Sequence, residues 1–202
     1  LESGKRVIVA THLLESMIVN PMPTRAEVTD VANAIYEEVD AVMLSGETTI
    51  GKYPVKCVEN LHKIAVSVEP HRGLRFTDNL SRANQKQNIA AAAVHLAETT
   101  GIKAIVVITR KGRMANYVAN CRPRDADIFA FSNESRTRRQ LALCRGVCAH
   151  RINFSLEPEK TLATAFGVLL DKERFQPGDA VVVISDVLAG VGTDAIQVRE
   201  VR

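Results

Sequence analysis

The chain has 202 residues and a formal net charge of +3, and 46% of its residues are hydrophobic and 24% charged. This composition is ordinary for a protein with a core, and the small basic excess is far from that of a nucleic-acid-binding protein. No apolar run approaches the roughly 18 residues that a membrane span needs. The N-terminal residues resemble no signal peptide and include no initiating Met. We therefore expect an internal part of a longer protein, with no nucleic-acid or membrane partner.

Only two of the four cysteines, Cys57, Cys121, Cys144 and Cys148, lie close together in the sequence. The spacing of Cys144 and Cys148 matches neither a zinc pair nor a CxxC redox motif. We therefore expect free thiols in a reducing compartment and no metal site.

The first third of the chain carries two strand–helix units. Apolar runs at 6–10 and 40–44 predict buried parallel strands. Thr24 and Glu27 have the capping-box spacing at the start of one helix, and Pro54 suits the first turn of the next. Two such units cannot close a sheet or a barrel alone, so we expect partner strands upstream.

A polar stretch without periodicity, residues 70–84, predicts a linker. Beyond it the pattern alternates between strands at 104–108, 127–131, 147–152, 180–184 and 196–201 and helices at 89–99, 112–120, 135–144 and 158–174. The last strand alternates apolar and polar residues, which favours an antiparallel edge strand. The whole pattern predicts an α/β fold with a mostly parallel five-stranded sheet covered on both faces.

Three motifs of the first third resemble the pyruvate kinase family. They are VATHLLESMI at 9–18, PTRAE at 23–27 and MLSGET at 43–48, and their order and spacing also match. Residues 116–123 and the terminal strand–loop–strand are similar to the C-terminal domain of that family.

The resemblance implies a division into two domains. Residues 1–69 would supply the last two strand–helix units of a TIM-type (β/α)8 barrel, followed by a linker over 70–84. Residues 85–202 would form a C-terminal α/β regulatory domain.

The family transfers a phosphoryl group from phosphoenolpyruvate to ADP, giving pyruvate and ATP. It needs Mg²⁺ or Mn²⁺ and usually K⁺, and the resemblance implies a homotetramer in the cytoplasm or a plastid. The family's enolate-stabilising lysine and its metal-binding carboxylates lie on earlier barrel strands. We therefore expect this chain alone to be inactive and to bind none of these cofactors.

Thr11 and Ser45 each follow a predicted strand, at the end where barrel enzymes hold their sites. The resemblance implies that Thr11 hydrogen-bonds the substrate carboxylate near the carbon that is protonated. A structural role at the strand end is the alternative for Thr11, and a turn that ties strand to helix is the alternative for Ser45. His12 replaces the family's usual amide, and we expect it to line the site or to pack.

A basic loop, Thr109-Arg110-Lys111-Gly112-Arg113, joins a predicted strand to a helix. Backbone N–H groups at such a junction, together with the helix dipole, can hold an anion. By resemblance this loop holds the phosphate of a sugar-phosphate effector. A solvated basic turn is the alternative.

A second loop, with Gly190 and Gly192, is expected beside the basic loop at the same sheet end. The sequence departs from fructose-bisphosphate-regulated relatives at Lys111 and Met114, where they carry serines, and near Thr161, where they carry an arginine. Fewer phosphate contacts remain, which favours a sugar or nucleoside monophosphate, or no effector.

Arg25 and Asp30 lie on the helix that opens at the capping box. By resemblance this helix contributes to a subunit interface, and a solvated helix face is the alternative.

Two other functions stay open for the chain, an autonomous phosphometabolite-binding module and a tetramer-assembly domain. The motifs around Thr11 and Ser45 count against a separate sensor, which would not use them.

Overall fold

The computed structural model describes residues 3–71, 73–185 and 195–202. The chain divides into two compact units, Leu1–Asn79 and Leu80–Arg202. The division falls inside the polar stretch 70–84. None of the helices in the described ranges is long and apolar enough to cross a membrane.

The first unit contains two short parallel strands and the helices that follow them. Strand β1 (Ile8–Ala10) pairs with β2 (Ala41–Met43), so that Ala10 lies opposite Met43. A 3-10 turn follows β1, and the helices are α1 (Arg25–Tyr36), α2 (Gly46–Thr49) and α3 (Pro54–Val68). This is the predicted order of two strand–helix units.

Helix α1 begins where the sequence predicts it. The Thr24 side chain accepts a hydrogen bond from the Glu27 N–H, and the Glu27 carboxylate accepts one from the Thr24 N–H. This reciprocal pair satisfies donors that the first helical turn leaves free. The capping-box prediction is therefore confirmed, as is Pro54 in the first turn of α3.

The core of the first unit lies between its helices and the inner sides of the strands. Leu14, Met17, Val31 and Cys57 are fully buried there. The strands themselves are not, which corrects the expectation of buried strands, since Ile8 and Met43 are 46% and 48% exposed. Within the described residues each strand pairs only with the other, so each has one open edge and incomplete cover.

The second unit is built on one five-stranded sheet with the order β5-β4-β3-β6-β7. Its strands are β3 (Ala104–Ile108), β4 (Asp127–Ser132), β5 (Val147–Arg151), β6 (Ala180–Ser185) and β7 (Ala195–Glu200). All neighbours are parallel except β6 and β7, which are antiparallel. The mostly parallel sheet and its antiparallel edge strand are both confirmed.

Helices cover both faces of this sheet. They are α4 (Gln85–Thr100), α5 (Arg113–Asn120), α6 (Ser135–Leu141) and α7 (Pro158–Lys172). One core packs α4 and α5 on the sheet face that carries Ile105 and Ile128, and the other packs α7 on the face that carries Phe129 and Phe131. The predicted α/β fold class is confirmed.

Candidate functional site

The backbone turns sharply where β1 ends. Thr11 has φ 71° and His12 has φ 54°, so two successive residues adopt the left-handed conformation. A β-branched residue in this region is a genuine outlier, and such outliers gather at functional sites. Both side chains are exposed, and the turn therefore presents the Thr11 hydroxyl to solvent at the end of the strand.

His12 pairs with a neighbour on the same turn. Its Nδ1 lies 2.8 Å from Oε2 of Glu15, and both side chains are largely exposed. An exposed pair of this kind contributes little to stability. His12 stands beside Thr11 at the open strand end and is not packed into the core.

Glu47 joins the two strand ends. Its carboxylate is buried and accepts hydrogen bonds from the Leu14 N–H at 3.1 Å and the Ser45 N–H at 2.8 Å. Burial opposes ionisation, but the hydrogen bonds from backbone N–H groups outweigh it, so the pKa of Glu47 lies below its ordinary value. The tie between strand ends thus comes from the Glu47 side chain, with Ser45 contributing its backbone.

The Ser45 hydroxyl takes no part in capping α2. Its side chain makes no cap hydrogen bond, whereas its carbonyl accepts the hydroxyls of Thr48 and Thr49. The side chain is half-buried. Since Ala10 lies opposite Met43 in the parallel pair, Thr11 and Ser45 follow their strands at the same end of the two-stranded sheet.

A second carboxylate holds the chain that leaves the Thr11 turn. Glu27 accepts hydrogen bonds from the N–H of Ser16 at 2.7 Å and from its hydroxyl at 2.6 Å, besides its bond with Thr24. Burial opposes ionisation of Glu27, but these hydrogen bonds outweigh it and lower its pKa. The sequence pattern predicts only the capping role of Glu27. Ser16, a hydroxyl residue after the first strand, is the one sequence signal for its second role, and a single hydroxyl does not predict this contact.

Arg25 and Asp30 are both exposed on α1. Val28, on the first turn of α1, and Met22, just before the helix, are exposed as well. The start of α1 therefore offers a mixed apolar and charged surface.

The loop between β3 and α5 is held from within. The buried Thr109 hydroxyl accepts a hydrogen bond from the Gly112 N–H at 3.1 Å. The Arg110 carbonyl accepts the hydroxyls of Ser132 at 3.1 Å and Thr137 at 2.9 Å. Thr109 therefore shapes the loop and uses one of the N–H groups expected to hold an anion.

Gly112 is required by the backbone at the start of α5. It has φ 73°, and a Cβ there would lie 3.1 Å from Cγ2 of Thr137. Around it the cationic side chains of Arg110, Lys111 and Arg113 are exposed. Within the described part of the chain they make no ion pair, so three positive charges face solvent at one sheet end.

Two predicted effector residues and two departures from bisphosphate-regulated relatives remain to be placed. Gly190 and Gly192 lie outside the described residues. Met114 is buried, and Thr161 is buried with its hydroxyl accepting from the Ser155 N–H at 2.9 Å. Neither Met114 nor Thr161 is therefore free to contact a phosphate.

Comparisons with known proteins match both units. The model of the pyruvate kinase barrel domain matches residues 2–58, and that of the pyruvate kinase alpha/beta domain matches residues 87–199. A chloroplastic pyruvate kinase isozyme G from Ricinus communis is 40% identical over 98% of this chain and 49% of its own length. Plastidial pyruvate kinase 2 from Arabidopsis thaliana is 39% identical over 98% of this chain and 35% of its own.

A solved structure of a pyruvate kinase also matches the chain. The crystal structure of a pyruvate kinase from Cryptosporidium parvum superposes with a TM-score of 0.88 and 29% sequence identity, over 98% of this chain and 41% of the other. The chain thus spans about a third to a half of the length of the proteins it matches.

Two strand–helix units that match a barrel-domain model, followed in the chain by a separate α/β domain, define the C-terminal part of a two-domain barrel protein. With both domain models matched over most of the sequence, the chain belongs to the pyruvate kinase family.

Proposed function

We propose that this chain is the C-terminal part of an enzyme that transfers a phosphoryl group from phosphoenolpyruvate to ADP, giving pyruvate and ATP. The observation that carries the proposal is the left-handed turn at Thr11 and His12 on the open end of β1. Backbone strain persists where surrounding structure enforces it, and here Glu47 and Glu27 hold the chain on its C-terminal side.

Thr11 acts at the proton-transfer step of this reaction. A hydroxyl donates to a carboxylate and also accepts or relays a proton, which suits a group beside the carbon that gains a proton. Ser45, at the same end of β2, lines the site. Both residues sit on strand ends, which position side chains more precisely than a long loop does.

The divalent ion of the family needs ligands from other strands. Among residues 3–71 and 73–79, no three His, Cys, Asp or Glu side chains bring ligand atoms together. By the family resemblance, we assign the Mg²⁺ or Mn²⁺ site, the K⁺ site and the enolate-stabilising lysine to barrel strands outside this chain. The chain alone is expected to show no turnover in a coupled assay with phosphoenolpyruvate, ADP and Mg²⁺.

The role of Thr11 is tested in the enzyme that carries the complete barrel. Thr11→Val keeps the branched shape and removes the hydroxyl, and it should lower kcat by about 10²-fold or more, as loss of an acid–base group does. Thr11→Ser restores the hydroxyl and should recover most of the rate. Thr99→Val, on the exposed end of α4, is the matched control. An unchanged kcat with a raised KM would limit Thr11 to substrate binding.

The basic loop is proposed to bind a phosphorylated effector. Support comes from the three exposed cations around Gly112 at the start of α5. Because Met114 and Thr161 are buried, we expect a sugar or nucleoside monophosphate to bind more tightly than fructose 1,6-bisphosphate. Calorimetric titrations at one salt concentration decide between them, and Arg110→Ala and Arg113→Ala should weaken binding. Tightest binding by the bisphosphate, or no binding by any of them, would contradict the proposal.

Arg25 and Asp30 are proposed to lie in a subunit interface of a homotetramer. The exposed Met22 and Val28 beside them support this, since apolar and Arg side chains are typical of interfaces. Arg25→Glu should shift the full enzyme towards smaller assemblies in sedimentation.

The plastidial names of two relatives agree with the expected location in a plastid or the cytoplasm.

A further inference from the structure

Three ligand-type side chains meet where α7 ends over the edge strand β5. Cys148 and His150 lie two residues apart on β5, so both point to the α7 face of the sheet. Glu173 is the residue that ends α7. We propose that this Cys148–His150–Glu173 cluster binds a zinc-class divalent cation, although the cysteine spacing in the sequence predicts no metal site.

The spacing of the three ligand atoms suits one ion. Sγ of Cys148 lies 3.4 Å from Nε2 of His150 and 3.3 Å from Oε1 of Glu173, and Nε2 lies 2.8 Å from Oε1. Tetrahedral Zn²⁺ places such atoms about 3.3–3.6 Å apart, given its usual bond lengths to sulfur, nitrogen and oxygen. Of the three distances, only the one between Nε2 of His150 and Oε1 of Glu173 has to increase, by about half an ångström, to match the spacing that these bond lengths set.

The cluster is held by packed neighbours. Cys148 is opposite Phe129 and His150 is opposite Phe131 in the parallel pair of β4 and β5. The Phe131 ring stacks on the His150 imidazole with centroids 5.5 Å apart, and Phe129 packs edge-on against Phe175, two residues beyond Glu173. Aromatic packing thus fixes the ligand positions before any ion arrives.

The position of Glu173 has a cost without a cation. A carboxylate at a helix C-terminus faces the negative end of the helix dipole. Its side chain nevertheless turns inward and is only 23% exposed, beside a His150 side chain that is 16% exposed. One Zn²⁺ with a thiolate, a carboxylate and a neutral imidazole has no net charge, which suits this half-buried place.

Binding exchanges protons for the metal. Burial, together with the hydrogen bond and charge of Glu173, raises the pKa of the Cys148 thiol to about 11. The metal-free thiol is therefore protonated, and on binding its proton passes to solvent while sulfur donates an electron pair to the ion. Nε2 of His150 lies 2.8 Å from Oε1 of Glu173 in the metal-free cluster, so the proton that it shares with the carboxylate moves to Nδ1 or to solvent when Nε2 gives its lone pair to the ion. A water molecule takes the fourth position on the exposed side.

The test uses the reduced, metal-free 202-residue chain and Co²⁺ followed by Zn²⁺. We expect one Co²⁺ per chain with a thiolate-to-cobalt charge-transfer band, which Zn²⁺ then displaces. Binding should release at least one proton, seen as a dependence of the calorimetric heat on the buffer. Zn²⁺ should also raise the Tm of the α/β domain, because it binds the folded form.

Variants separate this site from the other thiols. Cys148→Ser should abolish the charge-transfer band, and Glu173→Gln should weaken Zn²⁺ binding at least about tenfold, the lower end of the losses known for outer-shell partners alone. Cys121→Ser, which removes a half-buried thiol elsewhere in the same domain, should change neither.

Three results would overturn the proposal. They are a wild-type chain without the band, a band that survives Cys148→Ser, and wild-type affinity in Glu173→Gln. In each case the cluster would be a hydrogen-bonded network of thiol, imidazole and carboxylate. Should Cys148→Ser fail to fold, the wild-type spectrum and the Glu173→Gln titration still decide.

Discussion

The two sheets of the chain use similar residues but differ in burial. Strand β1 reads Ile-Val-Ala and β3 reads Ala-Ile-Val-Val-Ile. Every residue of β3 is buried, whereas Ile8 of β1 is 46% exposed. β3 has a parallel neighbour on each edge and helices over both faces, and β1 pairs only with β2 among the described strands.

The difference shows that neighbouring strands and helices bury an apolar strand. An apolar composition makes burial energetically favourable but does not by itself exclude water from the strand. The second unit closes its core from its own elements. Among its described residues the first unit has a sheet of two strands, and an isolated pair of strands is marginally stable. Experiments that test this comparison should therefore change which strands and helices surround each strand, or remove a side chain that they bury.

The largest expected effect is on independent folding. Residues 80–202 expressed alone should unfold in one cooperative thermal transition, because the five-stranded sheet is complete within them. Residues 1–79 alone should show no such transition. Circular dichroism and calorimetry of both pieces and the 202-residue chain provide the check. A cooperative transition in residues 1–79 would contradict the comparison.

A matched pair of isoleucines measures the same difference at single residues. Ile105→Ala removes a fully buried side chain and should lower the free energy of unfolding of the second unit by about 2–5 kcal/mol. Ile8→Ala removes a half-exposed one and should cost less than about 1 kcal/mol locally, since little apolar area is lost. Urea unfolding for Ile105 and amide exchange in α1 for Ile8 give the two values. Equal losses would mean that β1 is buried in solution.

The alternation of apolar runs and helical periods was enough to predict the fold class. It also placed β7 as the antiparallel edge, because the alternating polar residues of that strand are incompatible with two covered faces. The start of α4 was missed by four residues. Asn84, the last residue of the assigned linker, and Gln87, three residues on, form a capping box there, and that spacing is visible in the sequence.

The site could be predicted only in part. Strand ends placed Thr11 and Ser45, but the left-handed backbone at Thr11 follows from tertiary contacts that no local pattern encodes. The hydrogen bond that the Glu47 carboxylate accepts from the Leu14 N–H joins residues 33 apart in the chain. Contacts of that range depend on strand register, which the sequence of one chain leaves open.

A smaller effect is expected from the Glu47 tie. In Glu47→Gln the amide accepts one N–H but turns its own donor towards the other, which should cost about 1–3 kcal/mol. The lowered pKa of Glu47 means that its stabilisation is present above the ordinary value of 4.5 and is lost as pH falls through the folded value. The protection factors of the Leu14 and Ser45 amides, which correct the exchange rates for the intrinsic effect of pH, should therefore fall in acid for wild type and change less for the variant.

Glu59→Gln is the matched control, because Glu59 is exposed on α3. It should give the same protection factors for Leu14 and Ser45 as wild type at every pH. An equal loss of protection in acid for Glu47→Gln and wild type would assign the pH dependence to another carboxylate, of which Glu27 is the first to test.

The smallest expected effect concerns a positive φ angle that occurs in both units, at a threonine in the first and at a glycine in the second. Thr11 and Gly101 both have φ 71°. An L-residue in this conformation costs about 1–2 kcal/mol, and glycine adopts it freely but loses about 0.5–1 kcal/mol of chain entropy on folding. Gly101→Ala, with nothing within 4 Å of the new Cβ, should therefore destabilise the second unit by about 1 kcal/mol in urea unfolding.

Thr11→Gly should stabilise the first unit by about 0–1 kcal/mol in amide exchange, while the complete enzyme loses kcat with the hydroxyl. Stability traded for rate in this way is the mark of a strained residue retained for function, and a clear loss of stability in Thr11→Gly would instead make Thr11 a structural residue of the turn.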